Sequence, residues 1–213
     1  MGIVAEAGEN RTSVQVDRPS WADMYKNYPK EEIKSVDFYE MVSKTWHRDA
    51  LRDPENWGHT CAVRMSYALN HSGVVLGKPK SGAVIKGDDG YNYWMRVTDL
   101  SKFLEEKFKK GDEEYCPKPI TSLTQSTIDA RAQEVYTNFV QKILGRNGIV
   151  VFHVTGWTDA TGHFTLWNGS YLLYVGDPEH NNQNSMEYYF WLMRPGPNNK
   201  VIQTSKVTFW ELK

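Results

Sequence analysis

The stretch T-C-A-V-R-M-S-Y-A-L-N, Thr60–Asn70, decides the fold. Cys61, Met65, Ala68 and Leu69 recur at i, i+4, i+7 and i+8, the apolar face of a helix over 61–70. Thr60 stands where a cap belongs, and Ser72-Gly73 punctuates the far end. Cys61 is then the first helical residue and faces the interior. A thiol attacks as thiolate, and the amides of a helix N-terminus favour that charge. The same position also suits a small buried hydrophobe, because free cysteine is among the most buried residue types. A base within reach of Cys61 is what separates the two readings.

On the N-terminal side, Ser35 can cap a helix through Val36, Phe38, Tyr39, Val42 and Trp46. Residues 1–34 are polar, broken by Pro19 and Pro29, and read as an irregular arm. Beyond the deciding helix, residues 74–92 form a Gly- and Lys-rich loop or weak hairpin, and Tyr93 to Val97 a short strand. Thr98 caps a helix carrying Leu100, Phe103, Leu104 and Phe108, and the clearest helical period runs over 127–144. The last third changes character. Ile149 to Val154 is a continuous apolar run, typical of a strand covered on both faces. His163 to Trp167 alternates and ends in the turn signal Asn168-Gly169. Residues 171–175, 187–193 and 206–212 are further strand candidates. Helices first and strands last predict an α+β protein: a single domain over 35–213, helical over about 35–146 and sheet over about 147–213.

His163 is the candidate base. It opens a strand next to Gly162 and shares a face with Thr165 and Trp167. His153 is the rival, but its apolar surroundings predict deep burial. A third group must orient the imidazole; Asp177 is the first choice, with Asn168 and Asp159 as alternatives. Cys116 follows Asp112, Glu113 and Glu114, which disfavour a thiolate, and is expected to be inert. No C-x-x-C or H-E-x-x-H pattern occurs, so no metal site is expected.

The net charge of -1 provides no overall basic field for nucleic acid or anionic lipid, and neither is expected as a partner. Hydrophobic residues at 40% are enough to close a core without crosslinks, and two cysteines build no disulfide framework. No window approaches ~18 consecutive apolar residues. The start M-G-I-V-A-E has neither the basic nor the apolar region of a Sec signal, so export by another route is the expectation.

The blocks C-A-V-R-M-S-Y-A-L-N, Cys61 to Asn70, and G-H-F-T-L-W-N-G, Gly162 to Gly169, resemble the fourth family of type VI secretion amidase effectors. Y-W-M-R-V-T-D-L, Tyr93 to Leu100, is also similar to a family segment. The resemblance implies a papain-like fold related to NlpC-type wall peptidases, with helices packed on a C-terminal antiparallel sheet. It carries over Cys61 as nucleophile and His163 as base, with a downstream Asp, here Asp177, completing the triad. The His-to-Asp spacing of 14 residues (177 − 163) is longer than usual in the family, and the Cys pair that some members carry in that loop is missing here. The implied activity is cleavage of peptidoglycan stem peptide between the γ-carboxyl of D-glutamate and meso-diaminopimelate, without a cofactor. The implied setting is a recipient bacterium's periplasm, reached through type VI delivery components, with a cognate immunity protein protecting the producer. Two other readings remain open: a papain-like peptidase or acyl transferase on another amide, and a non-catalytic binding module.

Overall fold

The computed structural model describes residues 2–7, 10–15, 18–80 and 82–213, the first two segments by their backbone alone. Strands β1 (Gly2–Ala7) and β2 (Asn10–Gln15) pair antiparallel. Helices α1 (Trp21–Asn27), α2 (Ser35–Val42), α3 (Lys44–Arg52) and α4 (Cys61–His71) follow. A small hairpin, β3 (Val84–Lys86) and β4 (Asn92–Trp94), leads into α5 (Val97–Phe108) and β5 (Glu113–Tyr115). Helix α6 (Gln125–Val135) runs through a π turn at Tyr136–Val140 into α7 (Gln141–Ile143). The remaining strands are β6 (Asn147–Thr155), β7 (Gly162–Asn168), β8 (Met193–Pro195) and β9 (Val201–Glu211). They form an antiparallel sheet in the order β5-β9-β6-β7, with β8 also on β9.

The expected α+β order is present, and the sheet is covered on both faces. Ile149, Val151, Phe164, Leu166 and Trp210 face Met65, Ala68 and Leu69 of α4 and Leu100 and Leu104 of α5. Val150, Phe152, Trp167, Val207 and Phe209 face Val135, Phe139, Val140 and Ile143. The unbroken apolar run of β6 is therefore buried on both sides, as the sequence predicts. Gly162 permits the close β6–β7 approach where β7 begins: a Cβ there would lie 2.0 Å from the Phe152 carbonyl oxygen.

Several local expectations need correction. The stretch 1–34 is not irregular. It contains β1, β2 and α1, and Met24 and Tyr28 are buried in the main core. Residues 171–175 do not form a regular strand. Asn168 Oδ1 accepts the amides of Ser170 and Tyr171, turning the chain, and Leu172 then makes an isolated bridge to Trp167. The Tyr174 amide is diverted to Thr165 Oγ1 (3.0 Å) instead of continuing a ladder. Residues 187–192 form turns, closed by bonds such as Trp191 N–H to Tyr188 O (3.0 Å). The hydrophobicity of 188–192 reflects burial rather than strand pairing. Helix α6 starts two residues earlier than read, because Thr124 and Thr127 close a reciprocal cap.

One buried charge ties these parts together. Arg64 on α4 is fully buried and has no carboxylate partner among the described residues. Its guanidinium donates to Thr60 Oγ1 (2.9 Å) and to the carbonyls of Pro29 (3.1 Å), Lys30 (3.0 Å) and Ile33 (2.5 Å). It also lies over the rings of Tyr174 (4.1 Å) and Phe38 (4.9 Å). Arg64→Ala would leave three loop carbonyls and a hydroxyl without their donor and should cost about 3–5 kcal/mol in urea denaturation. Arg64→Lys should recover less than half of that, because an ammonium cannot reproduce the planar fork. Near-native stability of Arg64→Ala would refute this assignment.

Candidate active site

Cys61 and His163 line one cavity of about 520 Å³ at the start of β7. Helix α4 delivers Cys61 as its first residue, as the apolar period implies. The cap works differently from the expectation. Thr60 makes no side-chain cap, because its hydroxyl is engaged by Arg64 and by the Tyr174 hydroxyl at 2.9 Å. The first amides of α4 are thus left without a side-chain acceptor, beside the thiol.

His163 is buried and its Nε2 lies 2.8 Å from the Tyr174 carbonyl oxygen. A carbonyl only accepts, so Nε2 carries the proton and Nδ1 is left as the basic nitrogen. The imidazole stacks on Tyr189 (ring centroids 4.4 Å apart, 14° between planes), and Tyr189 stacks in turn on His180 (4.4 Å, 22°). No hydrogen bond joins Cys61 to His163 in this arrangement. Catalytic bonds of this kind often tighten only around substrate.

The other candidates are placed as follows. Asp177 does not reach His163. Its carboxylate is exposed and accepts the Glu179 amide (3.0 Å), capping the short turn that Pro178 begins. The acceptor on the His163 ring is the Tyr174 carbonyl, and no hydrogen bond joins Asp177 to the imidazole. Asn168 is used in its turn. Asp159 lines the cavity and pairs with His59 Nε2 at 3.1 Å, both side chains exposed. His153 is only half-buried, less so than His163; it lies 3.3 Å from Ser101 Oγ and does not line the cavity. Cys116 is exposed. Among the described residues no His, Cys, Asp and Glu cluster is arranged to hold a metal.

Sequence reading missed Tyr174, Tyr189 and His180. Tyr174 acts through its backbone, which leaves no side-chain signature. Tyr189 lies in a stretch read as a strand, and His180 lies in no element read from the sequence.

Burial dominates the electrostatics. Desolvation pushes the Cys61 thiol up, against the backbone amides of Phe164, Ala62 and Cys61 and against the Arg64 charge. Desolvation also drives His163 down to about 3, although the Tyr174 carbonyl favours its protonated form. The resting pair is therefore neutral.

The family profile described as "Type VI secretion system (T6SS), amidase effector protein 4" (Tae4) matches residues 57–210. The chain belongs to this family. The Tae4 of the Tae4–Tai4 effector–immunity complex from Enterobacter cloacae is 25% identical, with a TM-score of 0.60 over 92% of this chain and 99% of that one. Tae4 from Salmonella typhimurium, in complex with the immunity Tai4 from Enterobacter cloacae, is 23% identical, with a TM-score of 0.62 over 92% of this chain and 100% of that one. No curated protein sequence matched the chain. The fold is the papain-like fold of Tae4 effectors, with N-terminal helices packed on a C-terminal antiparallel sheet.

The shifted imidazole has a consequence for stability. Between its ordinary value of 6.5 and about 3, His163 is protonated in the unfolded chain but not in the folded one. Its contribution is therefore intact above about pH 6.5 and is lost as pH falls toward 3. His163→Gln should reduce the steepness of acid destabilisation by one proton, about tenfold in the unfolding constant per pH unit. Urea titrations between about pH 6 and about pH 4 read this slope, and identical slopes in the two proteins would contradict the assignment.

Proposed function

We propose that this Tae4-family protein hydrolyses peptidoglycan stem peptide by covalent catalysis at Cys61, cutting between the γ-carboxyl of D-glutamate and meso-diaminopimelate. The observation that carries the reading is the placement of a helix-N-terminal thiol and an oriented imidazole in one cavity of an amidase effector.

The geometry supports the following steps. The proton of Cys61 Sγ passes to Nδ1 of His163 as sulfur attacks the scissile carbonyl. Neither charge is stable here alone, but the two form together, and their attraction in the dry cleft offsets the desolvation that each would suffer. The amide of Cys61, on the uncapped end of α4, stabilises the oxyanion. The imidazolium then protonates the leaving amine, and the carbon–nitrogen bond breaks to leave a thioester. His163 next deprotonates a water, which displaces sulfur and releases the carboxylic acid. The Tyr174 carbonyl holds the ring through both proton transfers.

Family membership supports the proposed setting: delivery by a type VI system into a rival's periplasm, with an immunity protein closing the cavity in the producer. The E. cloacae and S. typhimurium structures, each a Tae4 effector with Tai4, support that partner class.

Purified wall sacculi, with released fragments identified by mass, test the reading. Cys61→Ala and His163→Ala should each lower release by at least about 1,000-fold while remaining folded. Asp177→Asn should cost less than about tenfold, because its carboxylate caps a turn and does not contact the imidazole. Digestion by folded Cys61→Ala would end the cysteine mechanism, and fragments cut at another bond would correct the substrate. In living cells, the wild type should lyse a Gram-negative host when given a periplasmic signal and do little in its cytoplasm. Killing from the cytoplasm alone would favour an intracellular amide.

A further inference from the structure

Five arginines of the described residues are buried or half-buried, and four of them are hydrogen-bonded. Arg18 donates to Asp112 and to the carbonyls of Glu211 and Phe108. Arg64 is satisfied as described above. Arg131 donates to the carbonyls of Lys118 and Thr204, its Nε alone lacking an acceptor. Arg146 forms ion pairs with Glu113 and Glu211. The fifth, Arg194 on β8, makes no side-chain hydrogen bond among the described residues, and its Nε is buried without an acceptor. Its nearest carboxylate, Glu187, stays 3.6 Å from Nη1, outside good hydrogen-bonding distance, and Glu187 also lies 3.7 Å from His180. An unmatched buried donor on a cation is costly, so such a group calls for an acceptor.

Arg194 is also the one of the five that lines the catalytic cavity. Its charge acts on both His180 and Tyr189, the rings stacked in series behind His163. His163, Tyr189 and His180 thus stack in that order, and Arg194 lines the same cavity. Exposed Arg96 on the cavity rim adds a second cation. A guanidinium at such a position recognises a planar anion through paired N–H donors.

The geometry points to Arg194 as a specificity-determining residue that binds a free carboxylate of the substrate, displacing its loose contact with Glu187. The inference rests on the stem-peptide reading. In a γ-linked D-glutamyl residue the α-carboxylate is free on the acyl side of the scissile amide, and it is the carboxylate assigned to Arg194.

The test compares two synthetic stem peptides, one with this α-carboxyl free and one with it amidated. Binding is measured by calorimetry to Cys61→Ala and to Cys61→Ala with Arg194→Gln or Arg194→Lys; cleavage is measured with otherwise wild-type protein. The free acid should bind and react roughly 10- to 100-fold better than the amide, the worth of a charge-assisted pair. Arg194→Gln should erase that ratio, and Arg194→Lys should keep part of it. A purely structural Arg194 would lower stability and leave the ratio intact, which would overturn the proposal. Cleavage at the expected bond without a preference for the free acid would overturn it and leave the function reading standing. Preferential binding without cleavage would uphold the carboxylate site and refute the assigned bond. Neither binding nor cleavage of either peptide would overturn both.

Discussion

The buried guanidinium of Arg64 is the constraint on which the site depends. A cation inside a protein must be met on every side, and here it is met by backbone carbonyls from 29–33, the Thr60 hydroxyl and two aromatic faces. These contacts join the N-terminal arm, α2, α4 and the chain after β7. Glu31 completes the frame, its carboxylate accepting the amides of Val175 (2.7 Å) and Gly176 (3.2 Å). Tyr174, between these groups, is fixed at its ring by Arg64, at its hydroxyl by Thr60 and at its amide by Thr165. Its carbonyl can then act as a rigid acceptor for His163.

The same frame explains why the resting pair is neutral. The positive charge of Arg64 favours a thiolate at Cys61 and disfavours an imidazolium at His163. Burial, the larger effect on both groups, opposes either charge by itself. In the proposed mechanism, proton transfer from sulfur to nitrogen creates opposite charges together, which confines the chemistry to the moment when substrate approaches. The tyrosine face stacked on His163 adds a surface of negative π density for the imidazolium as it forms.

Much of this was readable from the chain, for identifiable reasons. The period through Cys61, Met65, Ala68 and Leu69 fixes α4 and places the thiol at its start. The alternation after Gly162 puts His163 on one face with Thr165 and Trp167, and the two blocks together indicate the family. The third group was not readable, because proximity in sequence made Asp177 attractive while Pro178 turned its carboxylate into a local cap. A backbone carbonyl such as that of Tyr174 has no residue code. The strands expected at 171–175 and 187–193 failed because uniform hydrophobicity records burial and not pairing. Arg64 left one local clue: it stands four residues after Thr60, the spacing at which helical side chains meet.

The proposed mechanism requires that Cys61, although buried, be the reactive thiol because His163 can take its proton. Exposed Cys116 supplies an internal reference. Native protein treated briefly with iodoacetamide near neutral pH, with each cysteine quantified by mass spectrometry, measures this directly. Alkylation of Cys61 in the folded protein should be measurable and should fall about tenfold or more in His163→Ala, while that of Cys116 is unchanged. A Cys61 that stays protected until the protein unfolds, or that reacts equally well without His163, would contradict the mechanism.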